Sequence, residues 1–204
     1  IAGRSDHGLL CVNHEYGNPE LMWPGNPGRM SLTREQTAVE RMAHGHSVVE
    51  VRRFDGQWRI VRDSRYARRI TADTLIALSG PAAGHERLRT AADPTGRQVL
   101  GTLNNCAGGV THWGTVLHAE AKIHQYIVGD LAKTKEAAAL KRYGFNDPDY
   151  CWGKYDDRFD VEKEPHEPNR FGWIVELNPW DPSIQPIKRT ALGRFKHEGA
   201  DAFI

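Results

Sequence analysis

A single thiol stands between two amides and two glycines in NNCAGGVTHWGT, residues 104–115. A structural cysteine ordinarily sits in an apolar run or has a disulfide partner, and Cys106 sits in no apolar run. Three other places carry a comparable mixture of groups: Asn13-His14-Glu15, His118-Ala119-Glu120 and His197-Glu198-Gly199. Carboxylates suit hard cations such as calcium, and a thiolate prefers iron, copper or zinc. A site with both donors can therefore take more than one kind of metal. The ordinary alternative is surface carboxylates and hydrogen-bonded histidines, and only the fold can bring groups so far apart together. No Gly-x-Ser-x-Gly nucleophile and no Gly-x-x-x-x-Gly-Lys phosphate loop is present, so no second catalytic system competes.

The rest of the composition narrows the classes. A chain of 204 residues can bury a real core as one domain or as a piece of a larger one. A formal net charge of +1, with no basic face or aromatic-basic motif, argues against nucleic acid as a partner. No run approaches the roughly 18 apolar residues of a membrane-spanning helix, so no integral membrane segment is expected. The start, IAGR, has neither an initiator Met nor a basic-then-apolar leader, and reads as cut from a longer precursor. Cys11, Cys106 and Cys151 are odd in number with no CxxC, so neither a disulfide framework nor a structural zinc site is signalled.

The elements that must position these groups are mostly short strands. LLCV at 9–12 predicts a buried strand, followed by a loop that Gly17, Pro19, Pro24, Gly25, Pro27 and Gly28 force. A helix starts at a Thr33 cap, fills its first turn with Glu35 and Gln36, presents Val39 and Met42 as its apolar face, and stops near Gly45. Asp55-Gly56 supplies the turn of a hairpin between 47–54 and 57–62, with Val49, Val51, Trp58 and Ile60 as its buried face. DLAKTKEAAALKRY at 130–143 predicts a second helix ending at Gly144. Residues 171–177 form a strand with Phe171, Trp173, Val175 and Leu177 on one face, and 187–192 return as its partner. Hairpins separated by long loops fit a mainly β fold, a β-propeller or a sandwich, and the absence of strict repeats leaves periodicity unable to choose.

The run NNCAGGVTHWGT, with VNHEYGNPELMWPG before it and FGWIVELNPWDP and KRTALGRFKHEGA after it, closely resembles the PhoX-type bacterial alkaline phosphatases. GHERLRTAADPTG at 84–96 and WGKYDDRFDVEKEPHEPNRFGW at 152–173 extend the resemblance over nearly the whole chain. It implies a periplasmic or secreted β-propeller, exported by the twin-arginine route, that hydrolyses small phosphate monoesters with an iron and calcium cluster. Residues 1–204 then form one partial propeller domain with short inserted helices and long loops, lacking the signal and the later blades. By the same resemblance Cys106 is a thiolate ligand to iron, with Gly108-Gly109 letting the backbone turn closely around it, and Glu198 in KHEGA is a carboxylate ligand. Glu15 in NHEY is a weaker carry-over.

Two departures bear on activity. Where the family has Cys-Glu-Glu-Asn this chain reads Ala119-Glu120-Ala121-Lys122, so Glu120 keeps the first carboxylate while Ala121 and Lys122 replace the second and the amide. A lost carboxylate and a nearby lysine both weaken cation binding. His112 stands where proline is usual. Arg87, Arg89 and Arg194 are candidates to hold a phosphate, although most arginines are simply solvated. Trp113, Trp152 and Trp173 read as packing. The alternatives are an inactive metal- or phosphate-binding member of the family, and a fragment whose open strand edges promote association.

Overall fold

The computed structural model describes residue 1 and residues 3–203. It is mainly β, with two sheets. In the first, β1 (His7–His14) pairs with β2 (Gly45–Phe54), which pairs along its length with β3 (Gln57–Ile60) and β4 (Arg68–Ile70). The second has the order β6 (Gln98–Leu100), β5 (Leu75–Ser79), β10 (Ile187–Arg189), β9 (Ile174–Leu177), β8 (Val116–Glu120) and β7 (Asn105–Val110). Only β5 and β10 run parallel. Neither sheet closes into a barrel or propeller among the described residues.

Three short helices, α1 (Pro19–Met22), α2 (Arg34–Ala43) and α3 (Ala137–Arg142), interrupt the sheets. The expected Thr33 cap is present as a capping box, with Gln36 N–H donating to the Thr33 hydroxyl and the Gln36 side chain accepting from Thr33 N–H. The expected face is not the one buried. Val39 and Met42 are about half exposed, and α2 instead buries Thr37 and Glu40 against Cys151 and Trp152. The expected helix over 130–143 splits into a 3-10 turn at Leu131–Lys133 and α3. Asp130 caps the first piece and the Thr134 hydroxyl takes the Glu136 N–H, two local bonds that compete with a continuous helix.

The hairpin forms at Asp55-Gly56 with φ of 49° and 78°, as a type I′ turn requires. Its faces are the reverse of the expected ones: His46, Val48 and Glu50 point inward, whereas Trp58 and Ile60 are 54% and 64% exposed. Strand β1 is longer than expected and carries Asn13 and His14 within it. The strand within 171–177 is β9, shorter than expected but buried throughout, and β10 is its antiparallel partner, as expected. An aromatic cluster of Tyr126, Tyr150, Trp152 and Phe159 fills the space beside α2, with Tyr126 and Tyr150 stacked 4.6 Å apart. The buried Trp152 and Trp173 are packing residues, whereas Trp113 is exposed and donates to Glu176 at 2.9 Å.

Candidate functional site

The two sheets meet where β1 lies against β7, and Cys106 is at that junction. Asn105 faces Glu120 on β8 and Gly108 faces His118, so β7 spends an extra residue between two ladder pairs. Such a bulge turns a side chain away from the regular pleat, and here it displays the Cys106 thiol. The glycines that follow serve a different purpose from the expected tight turn, since neither has a positive φ. A Cβ on Gly108 would lie 2.0 Å from the Leu117 carbonyl oxygen, and one on Gly109 would lie 2.4 Å from the Asp201 carboxylate. Glycine therefore lets β8 and the segment after His197 close on β7 from both sides.

That closure brings Glu198 to the thiol. Ala107 N–H donates to the Glu198 carbonyl at 3.0 Å, and Cys106 Sγ donates to Glu198 Oε2 at 3.6 Å. Asn13 Nδ2 donates to the Cys106 carbonyl and ties β1 to the bulge. Asn104, in the left-handed region at φ 49°, accepts from Lys122 N–H at 2.7 Å and donates to the Tyr126 hydroxyl, which itself reaches the Glu15 carbonyl at 3.5 Å. The Glu15 backbone is thereby tied to the aromatic cluster. Burial, and then the negative charges of Glu15 and Glu198, push the Cys106 thiol above its ordinary range. The structure thus puts Cys106 and Glu198 in contact, while Glu15 reaches the thiol only through its charge.

Glu120 is different. Its side chain is wholly buried, with Oε1 accepting from Lys188 Nζ at 2.8 Å, Thr102 Oγ1 at 2.9 Å and Leu103 N–H, and Oε2 accepting from the N–H groups of Gly172 and Trp173. Lys188 also donates to the Arg170 carbonyl and sits 3.9 Å from the Phe171 ring centroid. Burial brings its pKa down to about 8, against the pull of Glu120. The replaced residues differ in turn: Ala121 is buried and Lys122 exposed.

Among the described residues, no group of three or more His, Cys, Asp and Glu side chains is arranged to hold a metal ion. The donor types at Cys106 and Glu198 fit two positions of an iron shell, with Glu15 adding charge. Glu120 does not fit a calcium ion, because protein donors already surround both oxygens. The candidate arginines serve the framework: Arg87 pairs with Glu136, Arg89 donates to the Gly84 carbonyl, and Arg194 donates to the carbonyls of Phe171 and Pro168. An open groove of about 750 Å³ is lined by Leu117, Ile174, Phe195 and His197, with neither Cys106 nor Glu198 on its wall.

Sequence reasoning missed the burial of four polar residues. Glu40 is raised by burial to about 7, with one oxygen taken by Trp152 Nε1 and the other without a partner. Lys188, His46 and His118 are the others. The three on strands stand at inward positions among apolar residues, which is the one signal that could have found them, whereas Glu40 lies on α2 and left no such signal.

The sequence pattern of the family described as Alkaline phosphatase PhoX matches residues 1–204. A solved structure, Pseudomonas fluorescens PhoX in complex with vanadate, a transition state analogue, is 42% identical with a TM-score of 0.90. The match covers 98% of this chain and 34% of that one, so the chain spans about a third of the length of this relative. No curated protein sequence matches the chain.

Proposed function

The chain belongs to the PhoX alkaline phosphatase family, and we propose that it forms part of a phosphate-monoester hydrolase whose metal centre is built on the bulge of β7. The observation that supports this reading is the convergence of Cys106 and Glu198 at 3.6 Å, with the charge of Glu15 reaching the thiol. In this reading Cys106 and Glu198 are ligands to iron and Glu15 supplies a further carboxylate for iron or calcium. A metal held by Cys106 and Glu198 would supply a Lewis acid to neutralise phosphate oxygens and lower the pKa of an attacking water.

The chain's own residues prepare that site. The Cys106 thiol points its proton at Glu198, and ligation requires that proton to leave, so the two carboxylate charges that reach it disfavour the metal-free thiolate and favour the metal-bound one. Asn13 and Asn104 hold the flanking backbone so that the thiol need not be ordered when metal arrives. Glu120 is assigned to the framework and not to a metal, in view of its five donors. By the family relationship we extend the reading to a β-propeller, to which these sheets would contribute, and to a periplasmic or secreted location. No helix is long and apolar enough to cross a membrane among the described residues.

A second reading, a metal- or phosphate-binding member without turnover, is favoured by Ala121 and Lys122 at positions where the family has a carboxylate and an amide. Elemental analysis for iron and calcium on the parent, Cys106→Ala and Glu198→Gln, followed by a phosphate-monoester assay with calcium added, separates the two. Iron and hydrolysis in the parent, both lost from Cys106→Ala, are the expected outcome. Iron without hydrolysis selects the second reading, and iron that survives Cys106→Ala removes the site from β7.

A further inference from the structure

Next to the bulge, on the inward faces of β2 and β8, two histidines face each other with their ring centroids 5.0 Å apart and their planes at 74°. Both are buried, His118 completely. Neither ring nitrogen of His118 has a hydrogen-bond partner, and Nε2 of His46 has none either. A buried nitrogen without a partner loses its hydration and regains nothing, so three of them in one place call for an occupant.

The tautomer of His46 follows from its neighbours. Asn13 donates its Nδ2 to the Cys106 carbonyl, which leaves its Oδ1 as the acceptor 2.7 Å from His46 Nδ1. His46 Nδ1 must then carry the proton. Burial keeps the ring neutral, with a pKa down to about 4, so Nε2 holds a bare lone pair. A ring fixed through one nitrogen by an amide oxygen, with the other nitrogen free, is how proteins orient a histidine ligand. His118 is likewise held neutral by burial. The positive charge of Lys188, which is paired with Glu120, pushes the ring in the same direction.

We propose that His46 and His118 together bind one divalent transition-metal ion of the zinc, copper or nickel class, at a site separate from Cys106 and Glu198. Imidazole suits these ions better than it suits calcium. Two side chains make an incomplete shell, and a cavity of about 250 Å³ that reaches His46, though not His118, and is also lined by Cys11, Asn13, Gly108 and Gly109 has room for waters on the His46 side. Asn13 bonds both His46 and the Cys106 carbonyl, so an ion here would stiffen the strand that carries the thiol. The inference does not depend on hydrolysis.

The test titrates Cu²⁺ into the full chain carrying Cys106→Ala, which removes the competing thiol, and follows the copper by electron paramagnetic resonance and calorimetry. One equivalent with hyperfine splitting from two nitrogens is expected. His118→Ala should reduce the splitting to one nitrogen and weaken binding at least tenfold. His46→Gln, which can keep the amide contact with Asn13, should do the same and carries the test if His118→Ala fails to fold. Glu198→Gln should change neither quantity. Copper without nitrogen splitting, or splitting unchanged in His46→Gln, overturns the proposal and leaves a bridging water between the rings.

Discussion

Glu120 and Glu198 come from the same kind of sequence cluster, a carboxylate one residue or two after a histidine, and the fold treats them in opposite ways. Glu120 is sealed at the centre of the second sheet with a lysine and four further donors on its two oxygens. Glu198 is exposed on the segment beyond β10 and meets a thiol. The lesson is that availability to a ligand is set by what already occupies the lone pairs. Motif membership does not decide it. Glu40 stands between the two, buried like Glu120 but with a single donor and no paired cation.

The sharpest way to break the contrast is Lys188→Met. It leaves Glu120 buried without its cation, and unfolding in urea should show a loss of about 3–5 kcal/mol. Glu40 is next. Its folded-state pKa of about 7 lies above the ordinary 4.5, so the proton it keeps stabilises the fold below pH 4.5, and that contribution is lost as pH rises through 7. The shift corresponds to about 3 kcal/mol, and Glu40→Gln should flatten that part of the stability profile between pH 4.5 and 8. Gly109→Ala places a methyl against Asp201 and the Ala200 carbonyl, which should cost roughly 1–3 kcal/mol and speed alkylation of Cys106 as Glu198 is pushed away. The smallest effect belongs to Glu198→Gln: stability within about 0.5 kcal/mol of the parent, and a Cys106 thiol that titrates lower, read as faster alkylation at pH 8. A large stability loss in Glu198→Gln would erase the distinction between the two carboxylates.

What could be read from the chain was what neighbours in sequence decide. The Asp55-Gly56 turn, the Thr33 cap and the pairing of β9 with β10 rest on local chemistry. The inward face of β2 does not, because Val48 and Val49 are equally apolar and only the structures packed above and below choose between them. The same holds for α2, whose polar Thr37 and Glu40 go inward since Cys151 and Trp152, far along the chain, supply their partners. In the candidate site the thiol and its glycines were legible as a motif. That Glu120 would be spoken for was not, because the lysine that claims it is 68 positions away.

The strand β10 comes after every other strand of the second sheet and inserts between β5 and β9, with Ile187 opposite Ala77 on one side and Glu176 on the other. During synthesis β5 and β6 must therefore wait, with one edge unsatisfied, until a segment 110 positions beyond Ser79 has been made. Closing so long a loop is slow, and parallel pairings of distant segments are among the latest contacts to form. The hairpin of β2 and β3 can form within microseconds of leaving the ribosome, whereas the buried lysine on β10 reaches Glu120 only in the closing step. The order of assembly thus runs from the turn at Asp55 towards the sheet that Lys188 completes.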